Sequence, residues 1–358
     1  MPQLSTRLSP DTVSWTCLCG LLAACLWLGP AKGFDVSFPR AVLPILGLAV
    51  LLAALMVGRL RQDDRLVAGA TAFLQMTLFT LLGVVFTYLL AADARPLWDD
   101  DLATADRWLG LHWPAILNAA AELPAALLLL AGAAYHSLVV QMMLCIVVLA
   151  CSERYDRLRV LIAAAILSGT ITVLASGAMP ALGNLFDPDR YGRLWPSVAW
   201  LDRSLVAGLR DGTIRQIDLS HMTGIVSFPS YHAALPVILV WGLRPIAALH
   251  LPAALWAALT IAATPLFGGH YVVDVFAGLM LAVATLMVAR RLPLRGSDGD
   301  QLFSSSPRAS SPAYCRDGML RQRSGRPARG GALLPDMPRW RRTERRCSCS
   351  RCEGSLLL

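Results

Sequence analysis

The sequence predicts an all-α protein: a polytopic membrane helix bundle of about eight transmembrane helices, with a disordered basic C-terminal tail. Three observations carry that prediction. The 358 residues are 56% hydrophobic, with a mean hydropathy of +0.54, against roughly 45–50% apolar residues in soluble domains. The apolar residues gather into runs of about the length a bilayer requires, roughly 20 residues. Charge is segregated as well: of the formal net +8, the stretch from Arg295 to the end supplies thirteen arginines against six acids. The apolar body is therefore nearly neutral, and its composition gives no reason to expect a nucleic-acid partner.

Taken in order, the chain opens with Arg7 and an apolar run from Val13 to Leu28. Length and flank also fit a signal peptide, but no small-residue cleavage site precedes Pro30 and further spans follow at once, so an uncleaved first helix is expected. Apolar runs follow at Ala41 to Gly58, Leu66 to Ala92, Leu123 to Ala150, Val160 to Met179, Tyr231 to Leu243, Ile246 to Phe267 and Tyr271 to Ala289. Pro124 interrupts the fourth region, which sets Ala115 to Leu123 apart as an interfacial helix. The Tyr231 to Leu243 run is short, so part of the preceding loop is expected to enter the membrane.

Loop charges set the orientation. Arg59, Arg61 and Arg65, then Arg154, Arg157 and Arg159, then Arg244, then Arg290 and Arg291 all fall on one side of an eight-span chain. By the positive-inside rule that side is cytoplasmic. The opposite, periplasmic side receives Asp93, Asp99, Asp100, Asp101 and Asp106 and the long loop from Pro180 to Pro229. Loops longer than about 12–15 residues are usually functional or disordered. Here Trp195, Trp200 and the runs Val198 to Leu201 and Ser204 to Leu209 predict an ordered lid at the membrane interface.

After Arg291 the composition shifts to Ser, Arg-Pro and Gly-Gly without apolar period, which predicts disorder and allows contact with anionic membrane lipids. Nine cysteines are split between the apolar body and this tail. They suggest no disulfide framework, and Cys347, Cys349 and Cys352 without a fourth ligand make a poor zinc site. Neither a metal nor a cofactor is expected.

The chemistry concentrates between Ser227 and Gly278. Two polar stretches, Ser227-Phe228-Pro229-Ser230-Tyr231-His232 and Gly268-Gly269-His270-Tyr271-Val272-Val273-Asp274, are separated by enough apolar sequence for two membrane passes. Two distant histidines would then return to one side. His270 and Asp274 stand four apart in a segment that reads as helix, so the carboxylate can hold the ring, fix its tautomer and raise the basicity of the other nitrogen.

Pro-Ser-x-His followed by Gly-x-His-Tyr-x-x-Asp-x-x-Ala-Gly resembles the type 2 phosphatidic acid phosphatase superfamily, most closely its inositol phosphorylceramide synthase branch. The resemblance is strongest from Gly224 to Gly278 and reaches back to about Arg95. It implies three regions: N-terminal transmembrane helices at 1–92, a catalytic membrane domain at 93–292 and the Arg-rich tail at 293–358. It also implies a metal-independent phosphoric ester hydrolase or phosphotransferase acting on a lipid phosphate. In such chemistry His270 serves as nucleophile, Asp274 as its orienting partner, and His232 as the acid that protonates the leaving oxygen and later the base for water or an alcohol. Ser230 and the amides around Gly268 and Gly269 are the candidate phosphate donors.

Departures from the pattern bear on the phosphate cations. Phosphatases of this superfamily carry Ser-Arg seven and six residues before the nucleophilic histidine, where this chain has Ala263 and Thr264. The upstream Lys-x6-Arg-Pro motif is not recognisable either. Arg210, and after it Arg215, are the candidate replacements, while His112, His136, His221 and His250 read as packing or interface residues. The competing class is a non-catalytic transporter or scaffold of the same fold. Such proteins often show paired repeats with matching Gly or Pro breaks, and none is visible here.

Overall fold

The computed structural model describes residues 9–187, 189–192, 194 and 197–293. The expectations for the tail, for Cys347, Cys349 and Cys352, and for Arg7 and Trp195 lie outside these residues. The described chain is almost wholly helical. In order come α1 (Pro10–Ala31), β1 (Asp35–Val36), α2 (Phe38–Arg61), α3 (Asp64–Ala91), α4 (Asp99–Trp108), α5 (Trp113–Ala121), α6 (Ala125–His136) and α7 (Leu138–Cys151). Then follow α8 (Tyr155–Ala178), α9 (Val198–Leu201), α10 (Arg203–Asp211), β2 (Gln216–Ile217), α11 (Tyr231–Leu243), α12 (Ala247–Phe267) and α13 (Val272–Arg291).

All eight apolar runs become helix, but not eight uniform spans. Six helices, α1, α2, α3, α8, α12 and α13, are each long and apolar enough to cross a membrane. The fourth run divides at Ser137 into α6 and α7. The Ser137 hydroxyl accepts from Trp256 Nε1 at 3.0 Å and bonds Gln141 Nε2 at 3.0 Å, so the break is tied to α12. Upstream, α5 and α6 meet at 116° across a break that contains Pro124, a residue that leaves its predecessor in extended backbone. The sixth run, α11, has only 13 residues.

Local signals start and stop the helices. Ser9 caps α1, with Pro10 in the first turn, and the Asp63 carboxylate accepts from the amides of Arg65 and Leu66 at the start of α3. Gln62 at the end of α2 and Gly212 at the end of α10 take left-handed conformations. Helix α8 sits at the centre, packed against α1, α3, α11 and α13. Its small residues Ala163, Ala164, Ala165, Ser168 and Gly169 are buried, the composition that lets membrane helices approach closely. A Cβ at Gly169 would overlap the Phe79 ring. By contrast α2 packs mainly on α3 and exposes Leu43, Ile45, Leu46, Val50 and Met56, as a lipid-facing helix does.

The two ends of the bundle differ in charge. At one, Arg157 donates to the Gly242 carbonyl at 2.9 Å, lies over the Trp241 ring at 4.1 Å and feels the charges of Arg154, Arg244 and Arg290. Arg159 pairs with Asp11 at 3.4 Å, and Arg65 with Glu153 at 2.6 Å. At the other, Lys32 pairs with Asp93, and β1 joins β2 in a two-residue parallel ladder with Asp35 opposite Gln216 and Val36 opposite Ile217. That ladder ties the α1–α2 connection to the long loop carrying α9 and α10.

Candidate active site

His270 stands between α12 and α13, 4% exposed. Helix α13 begins only at Val272, so His270 and Asp274 do not share a helical face as their spacing predicts. Instead Asp274, wholly buried in the first turn, reaches back past the helix start. Its Oδ2 accepts from the Tyr271 amide at 3.0 Å and the Ser227 hydroxyl at 3.1 Å, and lies 3.5 Å from His270 Nδ1. The spacing is right and the cause is capping. At 3.5 Å the pair is within ion-pair reach but short of a hydrogen bond, and catalytic contacts of this kind often tighten only with substrate. His270 Nδ1, Asp274 Oδ1 and the Ser230 hydroxyl are all buried without a hydrogen-bond partner.

Two carboxylates of α4 hold this segment from behind. Asp106, wholly buried, accepts from the amides of Val272 and Val273 at 2.9 Å each and from Trp113 Nε1 at 2.9 Å. Asp99 accepts from the amides of Leu182 and Gly183 at 3.0 and 2.9 Å and from the Tyr271 hydroxyl at 3.1 Å. A carboxylate at a helix N-terminus satisfies orphan amides and complements the macrodipole. In the sequence these two acids mark only a side of the membrane. The signal that could have found them is their spacing of seven, two turns along one face of a short amphipathic helix.

The second motif arrives from α11. His232, in its first turn, stacks on Tyr135 with centroids 4.4 Å apart and planes 16° apart, and its ring centroid lies 6.4 Å from that of His270. The Ser230 amide donates to the Asp274 carbonyl at 3.0 Å. Gly278 allows this approach, because a Cβ there would overlap the Ser230 carbonyl.

Both histidines line a cavity of about 670 Å³. Its walls include Tyr135, His136, Asp202, Ser227 and Gly268 near the histidines. Along α3 and α7 it continues past Thr87, Phe79, Met76 and Phe73 and past Leu138, Met142 and Ile146. His136, read from sequence as a packing residue, is therefore part of the wall. The long loop closes over Gly269, whose φ of 69° is left-handed and where a Cβ would meet Ala199 and Ser197 at 2.6 and 3.0 Å. Burial pushes the Asp202 carboxyl up to about 6.

The candidate phosphate residues fall differently. Ser230 is buried against α13, and Gly269 lies under α9 with its carbonyl accepting from the Asn184 amide. Arg210 donates to the Arg95 carbonyl at 2.8 Å and lines a smaller neighbouring pocket, which shares Thr87, Ala181, Val206, Ile225 and Ser227 with the cavity. Arg215 donates to the Leu209 and Ile214 carbonyls at 2.7 and 2.9 Å. Among the described residues, no Arg or Lys lines the cavity that holds the histidines.

A family model described as the PAP2 superfamily matches residues 100–288. Comparison with curated proteins gives no match, and neither does comparison with solved structures.

Proposed function

Because the chain belongs to the PAP2 superfamily, we propose that it is a multi-pass membrane lipid phosphatase or phosphotransferase working through a phosphohistidine on His270. One observation carries this reading: His232 in the first turn of α11 and His270 in the turn between α12 and α13 open onto one cavity, with the Asp274 carboxylate behind His270 Nδ1. With Asp274 holding the Nδ1 proton, His270 Nε2 is free to attack phosphorus. His232 stands across the cavity to protonate the leaving oxygen, then to take the proton from water or an acceptor alcohol. Placement of the helix start by Asp106 sets the nucleophile's position before substrate arrives, and the Asp274 contact fixes the ring tautomer as it tightens with substrate.

The cavity's shape supports a lipid. From Thr87 to Phe73 it follows α3 for about 21 Å at 1.5 Å per residue, over largely apolar side chains. A phosphate head at the histidines would leave an acyl or isoprenoid chain in that apolar part. Ala263 and Thr264 at the positions of the superfamily's Ser-Arg favour the inositol phosphorylceramide synthase branch, in which the arginine is dispensable. The clustering of arginines at the far end of the bundle supports an inner-membrane protein with its site facing the periplasm.

The experiment is a panel of lipid phosphates presented to the detergent-purified protein, without added metal, with and without acceptor alcohols. Release of phosphate or of a transferred head group supports the reading. Inertness to the whole panel contradicts it.

A further inference from the structure

Tyr135, in the last turn of α6, is 3% exposed. Its ring stacks on His232 and meets His136 edge-on at 5.1 Å. Its hydroxyl has no hydrogen-bond partner among the described residues and keeps some accessible surface, so a polar donor is left open to the cavity that the ring lines. Gly268 shows where that hydroxyl is. A Cβ built on Gly268 would lie 2.8 Å from Tyr135 Oη and 2.8 Å from His270 Cδ2, the ring carbon bonded to Nε2. Two atoms within that radius of one point are within twice that radius of each other. The free hydroxyl thus lies within about 5.6 Å, twice 2.8 Å, of the ring carbon next to the nucleophilic nitrogen, in the wall of the same cavity.

Charge makes the position informative. The described lining offers a carboxyl, Asp202, and no cation, yet phosphoryl transfer needs donors aimed at the non-bridging oxygens. We propose that Tyr135 is a catalytic residue: its Oη–H donates to a non-bridging phosphoryl oxygen as phosphorus passes between the ester oxygen and His270 Nε2. The proposal rests on the histidine roles given above. In the step, the P–Nε2 bond forms as the bond from phosphorus to the leaving oxygen breaks, and the leaving oxygen takes its proton from His232. The Tyr135 proton stays on Tyr135 throughout. A neutral donor does here what a guanidinium would do elsewhere, without adding charge beside an imidazole that must itself gain and lose a proton.

Tyr135→Phe is the discriminating variant, because it keeps the stack on His232 and the buried volume while removing only the hydroxyl. With an aryl lipid phosphate, the rate of phosphoenzyme formation should fall about 10²–10³-fold, as for removal of one oxyanion donor, with an unchanged melting temperature. A more acidic phenol leaving group should not restore it, whereas the same change should restore His232→Ala. Orthovanadate should raise the melting temperature of the wild-type protein and not that of Tyr135→Phe. Wild-type rates in Tyr135→Phe would overturn the proposal. So would rescue by the acidic leaving group, since Tyr135 would then act only by holding His232. A wild-type protein that forms no phosphoenzyme on any substrate would instead overturn the histidine roles, and this proposal with them.

Discussion

Two carboxylates act on the segment that carries His270: Asp106 caps the start of α13, and Asp274 lies 3.5 Å from the ring. Asp106→Ala would leave two amides and an indole N–H, all part-buried, without acceptors, at up to about 1–3 kcal/mol each. It should lower both melting temperature and phosphoenzyme rate, with Asp106→Asn recovering part of each; a fully stable, fully active alanine variant would contradict this placement. Asp202 carries a pH prediction. Its carboxyl is raised to about 6, so it is neutral below that pH and negative above it, with Tyr88 and Tyr135 in its field, in the wall of the cavity that the histidines also line. Binding of an anionic lipid should weaken as pH rises through about 6, by up to about tenfold. Asp202→Asn should abolish that loss, and the ratio of wild-type to variant KM cancels the substrate's own titration. A ratio independent of pH would show that Asp202 does not reach the phosphate. Among single residues, His232, His270 and Asp274 were legible because short motifs carry them. Asp99 and Asp106 showed only a shared helix face and Tyr135 showed nothing, since no local pattern reports that α4 and α6 return to the start of α13.

The helices meet at glycines, and there the fold is most sensitive. Gly278 lets α13 pass the Ser230 carbonyl and the Ala233 side chain, the latter at 3.1 Å from a Cβ built there. Gly278→Ala should cost about 1–3 kcal/mol, the usual range for overpacking, and should reduce activity by moving His232 relative to His270. Gly47→Ala, on the lipid-facing α2 with nothing within 4 Å of the new Cβ, is the matched control and should be neutral in both. Equal melting temperatures for the two variants would contradict the packing account. At this scale the apolar runs gave helix positions well, because about twenty apolar residues have few alternatives in a bilayer. They failed where polar contacts divide a run. The break at Ser137 is tied to Trp256 of α12 by a hydrogen bond, a partner that no local pattern announces. The start of α13 at Val272 likewise reflects Asp106 and Asp274 competing for the amides that would have carried the helix back to His270.

Across the whole molecule, the basic end and the histidine end lie at opposite ends of one bundle, which is why loop charge and motif position agreed when read independently from sequence. A cysteine placed at Asp100 or Asp189 should react with an impermeant maleimide in intact cells. Reaction only after the inner membrane is opened would reverse the proposed orientation. What sequence could not supply at this scale is the cavity, since its walls come from α3, α7, α8, α11 and the long loop at once. The central claim, that two histidines divide the chemistry, is tested most directly by trapping the phosphoenzyme in EDTA with a labelled aryl lipid phosphate. Label should be found on His270 in the wild-type protein and in His232→Ala, and should be absent from His270→Ala, while an acidic phenol leaving group restores His232→Ala toward the wild-type rate, a gain of about 10²–10⁴-fold. Label on His232, or equal rescue of both histidine variants, would contradict the account.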